Sequence, residues 1–153
     1  MTRIVAGSAK GRTLAVPKSG TRPTSERVRE ALFSRLDHMN VLEGAVVLDL
    51  YAGTGALGLE ALSRGAATAT LVEKASGAAR VATSNVRSTG LNARVVTADA
   101  RAYLAARSGQ VLSGEVDLVF IDPPYDIAEA DMTAVLEGLA PWIGPDALVV
   151  VER

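Results

Sequence analysis

The chain has 153 residues, a net charge of −1, 48% hydrophobic and 22% charged residues, and no cysteine. A chain of this length and composition forms one folded domain and buries roughly two-thirds of its unfolded surface, which excludes a disordered chain. The missing thiols exclude disulfides, a thiolate metal site and a cysteine nucleophile, and no apolar run approaches the roughly 18 residues of a membrane span.

The N-terminus, Met1 to Gly7, is too short and too interrupted for a signal peptide, so a cytosolic, cytoplasmic protein is expected. Charge is unevenly spread. Residues 1–40 carry eight basic and three acidic side chains, a net of +5, and residues 41–153 carry eight basic and fourteen acidic ones, a net of −6. A basic arm on an acidic body points to contact with a polyanion.

In chain order, residues 3–16 alternate loosely around Gly7 and Gly11, which predicts two short strands in a β-hairpin. Residues 17–23 form a loop rich in Gly, Ser and Pro. Thr24 or Ser25 caps a helix with Glu26 in its first turn and Val28, Leu32, Phe33 and Leu36 on one face. Arg27, Arg29 and Arg35 fall on its other faces. His38, the only histidine, has no assigned role. A buried strand runs from Val46 to Leu50, followed by a glycine turn through Gly53 and Gly55 and a helix from Ala56 to about Ser63.

Ala66 to Glu73 reads as a second strand, Ser76 to about Thr89 as a helix stopped by Gly90, and Asn92 to Thr97 as a third strand. A short helix from Arg101 to Arg107, a strand from Val116 to Ile121, a helix from Ile127 to about Leu139 and a strand from Ala147 to Val151 complete the chain. Strands alternating with helices predict a parallel, doubly wound α/β sheet.

In such a sheet ligands bind outside the C-terminal strand ends. Those ends carry Asp49 with the glycine turn, Glu73, Asp99, and Asp122-Pro123-Pro124-Tyr125. Gly53, Gly55 and Gly58 match the dinucleotide fingerprint G-x-G-x-x-G, a weak match alone. Glu73 follows the turn by about 20 residues, the position of an acid that accepts from ribose hydroxyls. Asp99 pairs with an adenine amine or caps the helix after it.

Asp49 is costly to bury without a donor or a cation, and a ligand with an ammonium and a sulfonium supplies that charge. The two prolines stiffen the Asp122 loop and remove two N–H donors. Asp122 and the Pro123 carbonyl can each accept from an amine, and the Tyr125 ring can lie against a planar base.

These residues resemble the S-adenosylmethionine-dependent methyltransferases of class I that act on exocyclic amines. The match is closer to one bacterial family, RsmD, through Arg3 to Gly7, Gly11-Arg12, Arg22-Pro23-Thr24, Arg27 to Phe33, Ala52 to Ala61 and Asp122 to Tyr125. That family methylates guanine N2 in 16S ribosomal RNA of the small subunit. The resemblance implies a Rossmann-like, mostly parallel methyltransferase sheet over residues 41–153, with the hairpin and helix of residues 1–40 as an RNA-contacting arm and cofactor lid.

It implies S-adenosyl-L-methionine held by Asp49, Ala52, Gly53, Thr54, Gly55, Glu73, Lys74, Asp99, Ala100 and Thr24. The target base is held by Asp122, Pro123, Pro124 and Tyr125, and the RNA by Arg3, Lys10, Arg12, Lys18, Arg22 and Arg27. The segment from Arg22 to Phe33 packs over the cofactor. The partner implied is 16S rRNA or an assembling small subunit, with no metal, no membrane and a monomeric enzyme. Sheets of this class usually carry two further strands after the fifth, which are expected to be missing here.

The same loop suits the amines of DNA adenine N6 or cytosine N4, whereas cytosine C5 chemistry needs the cysteine this chain lacks. A nicotinamide-binding protein or a non-catalytic RNA-binding module are the readings from other classes.

Overall fold

The computed structural model describes residues 2–16, 25–107 and 115–152. A two-stranded antiparallel hairpin, β1 (Thr2–Arg3) and β2 (Thr13–Leu14), opens the chain. Helix α1 (Glu26–His38) follows, its first turn capped by Ser25, whose hydroxyl accepts from the Val28 N–H at 3.1 Å. Then come β3 (Val46–Asp49), α2 (Ala56–Ser63), β4 (Thr68–Glu73), α3 (Ser76–Thr89) and β5 (Ala93–Thr97). The chain continues through α4 (Ala100–Arg107), β6 (Val116–Ile121), α5 (Glu129–Leu139), a 3-10 turn (Ala140–Trp142) and β7 (Ile143–Val151). Gly90 stops α3 in the left-handed conformation, at φ +69°.

The five strands β3 to β7 form one parallel sheet in the order β5-β4-β3-β6-β7. Strand order reverses at β3, between β4 and β6, so the crevice for a ligand opens beyond the C-terminal ends of these strands. Alternate residues of each strand serve opposite faces. Val47, Leu118 and Phe120 join Phe33, Leu36, Leu59, Ile4 and Leu14 under α1, α2 and the hairpin. Leu48, Val119 and Ile121 join Leu104, Met132, Val135 and Trp142 under α4 and α5. Residues 2–16 therefore contribute to the same core as the sheet. Among the described residues no strand pairs with the outer edge of β7, where Val151 is 44% exposed. No described helix is long and apolar enough to cross a membrane.

Helix α1 differs from the expected apolar face. Its buried residues are Arg29, Phe33 and Leu36, while Val28 is 48% exposed. The reason is a partner 31 positions away. Arg29 forms an ion pair with Glu60 of α2 at 3.5 Å, both side chains being fully buried, and donates to the Arg3 carbonyl. Glu60 also accepts from the N–H groups of Val5 (2.9 Å) and Ala6 (3.1 Å) and from Arg64 Nε (2.9 Å). Ser63 adds an acceptor for the Ala9 N–H and a donor to the Ala6 carbonyl. The buried guanidinium relies on its pairing with Glu60 and its one hydrogen bond to Arg3, since its Nε and Nη1 make no hydrogen bond, and the result ties the hairpin and α1 to the back of α2.

Candidate active site

The turn between β3 and α2 is built by its glycines. Gly53 and Gly55 have φ of +56° and +88°, which side-chain-bearing residues rarely adopt, and Gly55 is the N-cap of α2. Gly58 serves packing, since a Cβ there would lie 2.3 Å from Leu71 Cδ2. The short α2–β4 approach thus depends on the third glycine of the fingerprint.

Glu73, at the end of β4, accepts from the Gly53 N–H and the Ala75 N–H, each at 2.8 Å, and so holds the turn against the neighbouring strand end. Asp99 accepts from the Ala102 N–H at 3.2 Å. It therefore caps α4, the second of the two readings open at the sequence level, and also stands on the wall of the cleft.

The cleft beyond the strand ends measures about 1510 Å³. That exceeds the roughly 300–1,000 Å³ of a pocket for one small ligand, so it has room for two groups at once. Of the residues anticipated from sequence, Ala52, Gly53, Thr54, Glu73, Lys74, Asp99, Ala100, Asp122, Pro123, Pro124 and Tyr125 line it. Its wall carries five carboxylates, on Glu73, Asp99, Asp122, Asp126 and Asp131, against the cations of Lys74 and Arg101. Arg101 pairs with Asp131 at 2.8 Å. An acidic wall attracts a cationic ligand and repels a pyrophosphate.

On the loop after β6, Asp122 is half-buried, Pro123 buried, and the Tyr125 side chain 94% exposed at the mouth of the cleft. The Pro124 carbonyl accepts from the Ile127 N–H at 3.0 Å, which closes the loop on itself.

Asp49 and Gly55 do not line the cleft. Asp49 is fully buried behind the turn, where Oδ2 accepts from the Gly58 N–H at 3.3 Å and Oδ1 has no hydrogen-bond partner. Loss of water pushes its carboxyl up from 3.8 to about 7; the backbone N–H groups of Gly58 and Tyr51 oppose this, and the charges of Asp122 and Glu73 add to it. Its carboxylate stands behind the turn and off the cleft wall.

Val28 and Leu32 of α1 line a small recess with Phe120 and Val150 that shares Leu57 and Asp122 with the cleft. Arg3, Lys10, Arg12 and Arg27 are exposed and outside the cleft, Arg3 pairing with Glu26 at 3.2 Å and Arg12 donating to the Ser88 carbonyl. Thr24, Lys18 and Arg22 lie outside the described residues.

Sequence reasoning missed Val16, Tyr51 and Arg101 on the cleft wall. Burial and the nearby charges of Asp99 and Asp131 raise the Tyr51 hydroxyl above its ordinary pKa. It also missed Glu60 and Asn85, whose signal was a polar residue inside an otherwise buried helix face.

A parallel sheet in this order, with the glycine turn, the acid after β4 and the Asp-Pro-Pro-Tyr loop on one cleft, defines a Rossmann-like methyltransferase fold. The chain belongs to the RsmD family: the family model described as "Conserved hypothetical protein 95" matches residues 2–153. It is 41% identical over 152 residues to ribosomal RNA small subunit methyltransferase D of Escherichia coli K12, covering 98% of this chain and 73% of that one. It is 36% identical over 154 residues to the protein of the same name from Haemophilus influenzae, covering 98% and 77%. Among solved structures, that of yhhF from Escherichia coli superposes with a TM-score of 0.83 at 38% identity, covering 98% of this chain and 79% of that one. A hypothetical protein from Thermus thermophilus gives 0.80 at 36% identity, covering 100% and 81%.

Proposed function

We propose that this chain transfers a methyl group from S-adenosyl-L-methionine to the exocyclic N2 amine of a guanine in 16S ribosomal RNA. The observation that carries the reading is the shared cleft. The glycine turn, Glu73 and Asp99 face the same space as Asp122 and Tyr125, and the wall between them is acidic. Relatives named as small-subunit rRNA methyltransferases support RNA as the substrate.

The cleft's chemistry fits that cofactor, whose ammonium and sulfonium suit a carboxylate-rich wall better than a dinucleotide's phosphates do. Ala52, Gly53 and Thr54 with Lys74 would hold its amino-acid tail, Glu73 its ribose hydroxyls, and Asp99 with Ala100 its adenine. Bound there, the cofactor supplies an electrophilic methyl group. Asp49 and Gly55 act from behind the wall by fixing the turn.

The chain's own contribution is positioning and electrostatics. Asp122 and the Pro123 carbonyl accept hydrogen bonds from the target amine, localise its lone pair and aim it. Pro124 stiffens the loop, and Tyr125 stacks on the base, which must leave its own stack to enter. Asp122 takes the proton after transfer, when the methylated amine has become acidic. The basic residues of the arm, Arg3, Lys10, Arg12 and Arg27, with Lys18 and Arg22, hold phosphates of the RNA.

Labelled cofactor offered to undermethylated small subunits, naked rRNA and DNA tests the reading. Label entering small-subunit RNA is expected, and label entering DNA alone overturns it. S-adenosylhomocysteine should bind tightly and NADH should not; the reverse overturns the cofactor assignment.

A further inference from the structure

Asn85 of α3 is 2% exposed and uses its whole carboxamide. Its Oδ1 accepts from the Ala15 N–H at 2.8 Å, and its Nδ2 donates to the Ala15 carbonyl at 3.1 Å and to the Thr54 carbonyl at 2.9 Å. The orientation of the amide follows from its partners, since an N–H must meet the oxygen and two carbonyls must meet the nitrogen. Ala15 follows β2 at the end of the hairpin, and its neighbour Val16 stands on the wall of the cleft. Thr54 belongs to the glycine turn and lines the same cleft. One buried side chain therefore joins the base of the basic arm to the turn.

We infer that Asn85 is a positioning residue that couples cofactor binding in the turn to RNA binding by the arm, an inference that rests on the function proposed above. A ligand seated on Thr54 fixes the turn's backbone, including the Thr54 carbonyl. Through Asn85 that order passes to Ala15 and the arm. Coupling of this kind is reciprocal: RNA on the arm tightens the cofactor by the factor with which the cofactor tightens RNA. The anchors on α2, Glu60 and Ser63, hold residues 5–9 of the arm through hydrogen bonds that involve neither Asn85 nor Thr54.

The test measures the affinity for small-subunit rRNA with and without S-adenosylhomocysteine, in the wild type and in Asn85→Asp. That variant keeps the acceptor for the Ala15 N–H and loses the donors to Ala15 and Thr54. The wild type should bind RNA about tenfold more tightly with the cofactor product present, and in Asn85→Asp the ratio should fall to about 1. A purely structural role would lower the melting temperature and leave the ratio unchanged, which overturns the inference.

Amide hydrogen exchange in the wild type needs no variant: S-adenosylhomocysteine should slow exchange at Ala15 about tenfold, and an unchanged rate there overturns the coupling. A wild type that binds both ligands with no mutual effect sinks this inference alone. One that binds neither sinks the function proposed above along with it.

Discussion

Arg29 of α1 and Glu60 of α2 form a fully buried ion pair, 3.5 Å apart, that fastens the N-terminal arm to the helix behind the glycine turn. Removing Glu60 leaves Arg29 buried and charged without its ion-pair partner, whereas Glu60 keeps Arg64 when Arg29 is removed. Glu60→Ala also leaves the N–H groups of Val5 and Ala6 without their acceptor. The expected cost is about 3–5 kcal/mol, read from denaturant unfolding. Arg3→Ala, which breaks the exposed pair with Glu26, should cost less than about 1 kcal/mol in the same assay. Equal costs would show that the buried pair has no special weight.

Asp49 makes stability depend on pH in an unusual direction. Its carboxyl titrates at about 7 in the folded chain and near 3.8 when unfolded. Between those values the folded chain holds a proton that the unfolded chain has released, so stability falls as pH rises from 4 to 7, and the full penalty remains above 7. Asn at this position stays neutral and can still accept from the Gly58 N–H. Asp49→Asn should therefore gain about 3 kcal/mol relative to the wild type between pH 5 and pH 8. Melting curves at the two pH values check this, and a constant difference would mean that Asp49 ionises freely.

The helix that carries Arg29 also shows what the sequence could and could not reveal. The strand, the glycine turn, the acid after β4 and the Asp122 loop were readable because each is specified by neighbouring residues: glycines set φ, prolines stiffen, and apolar runs mark buried strands. The face of α1 was not readable in that way. Periodicity weighs each side chain by its own polarity, so Val28 was expected inside and Arg29 outside, and nothing local announces Glu60 on a later helix. Asn85 was hidden for the same reason, because its partners Ala15 and Thr54 lie 70 and 31 positions away. Asp49 was recognised as a carboxylate at the turn, but only packing places it behind the wall.

Asp122 is half-buried on the cleft at the end of β6. If it accepts from the target amine, Asp122→Ala should lower turnover by roughly 100-fold or more and leave the affinity for S-adenosylhomocysteine within about twofold. Calorimetry and single-turnover rates separate the two. An equal loss in both would make it a cofactor ligand.

Tyr125 exposes 94% of its surface, so its ring contributes little to folding. Tyr125→Ala should leave the melting temperature unchanged and weaken kcat/KM for RNA by about 5- to 150-fold, the range of one base–aromatic stack. Tyr125→Phe keeps the ring and should stay near the wild type. A Phe variant as impaired as Ala would assign the work to the hydroxyl instead.

Identification of the methylated nucleoside tests the central claim most directly. Small-subunit RNA from cells lacking this enzyme is incubated with the protein and S-adenosylmethionine, digested to nucleosides and resolved by mass spectrometry. The proposed function predicts N2-methylguanosine as the new product, absent with Asp122→Ala. N6-methyladenosine or N4-methylcytidine in its place, or no new methylated nucleoside, would contradict the account.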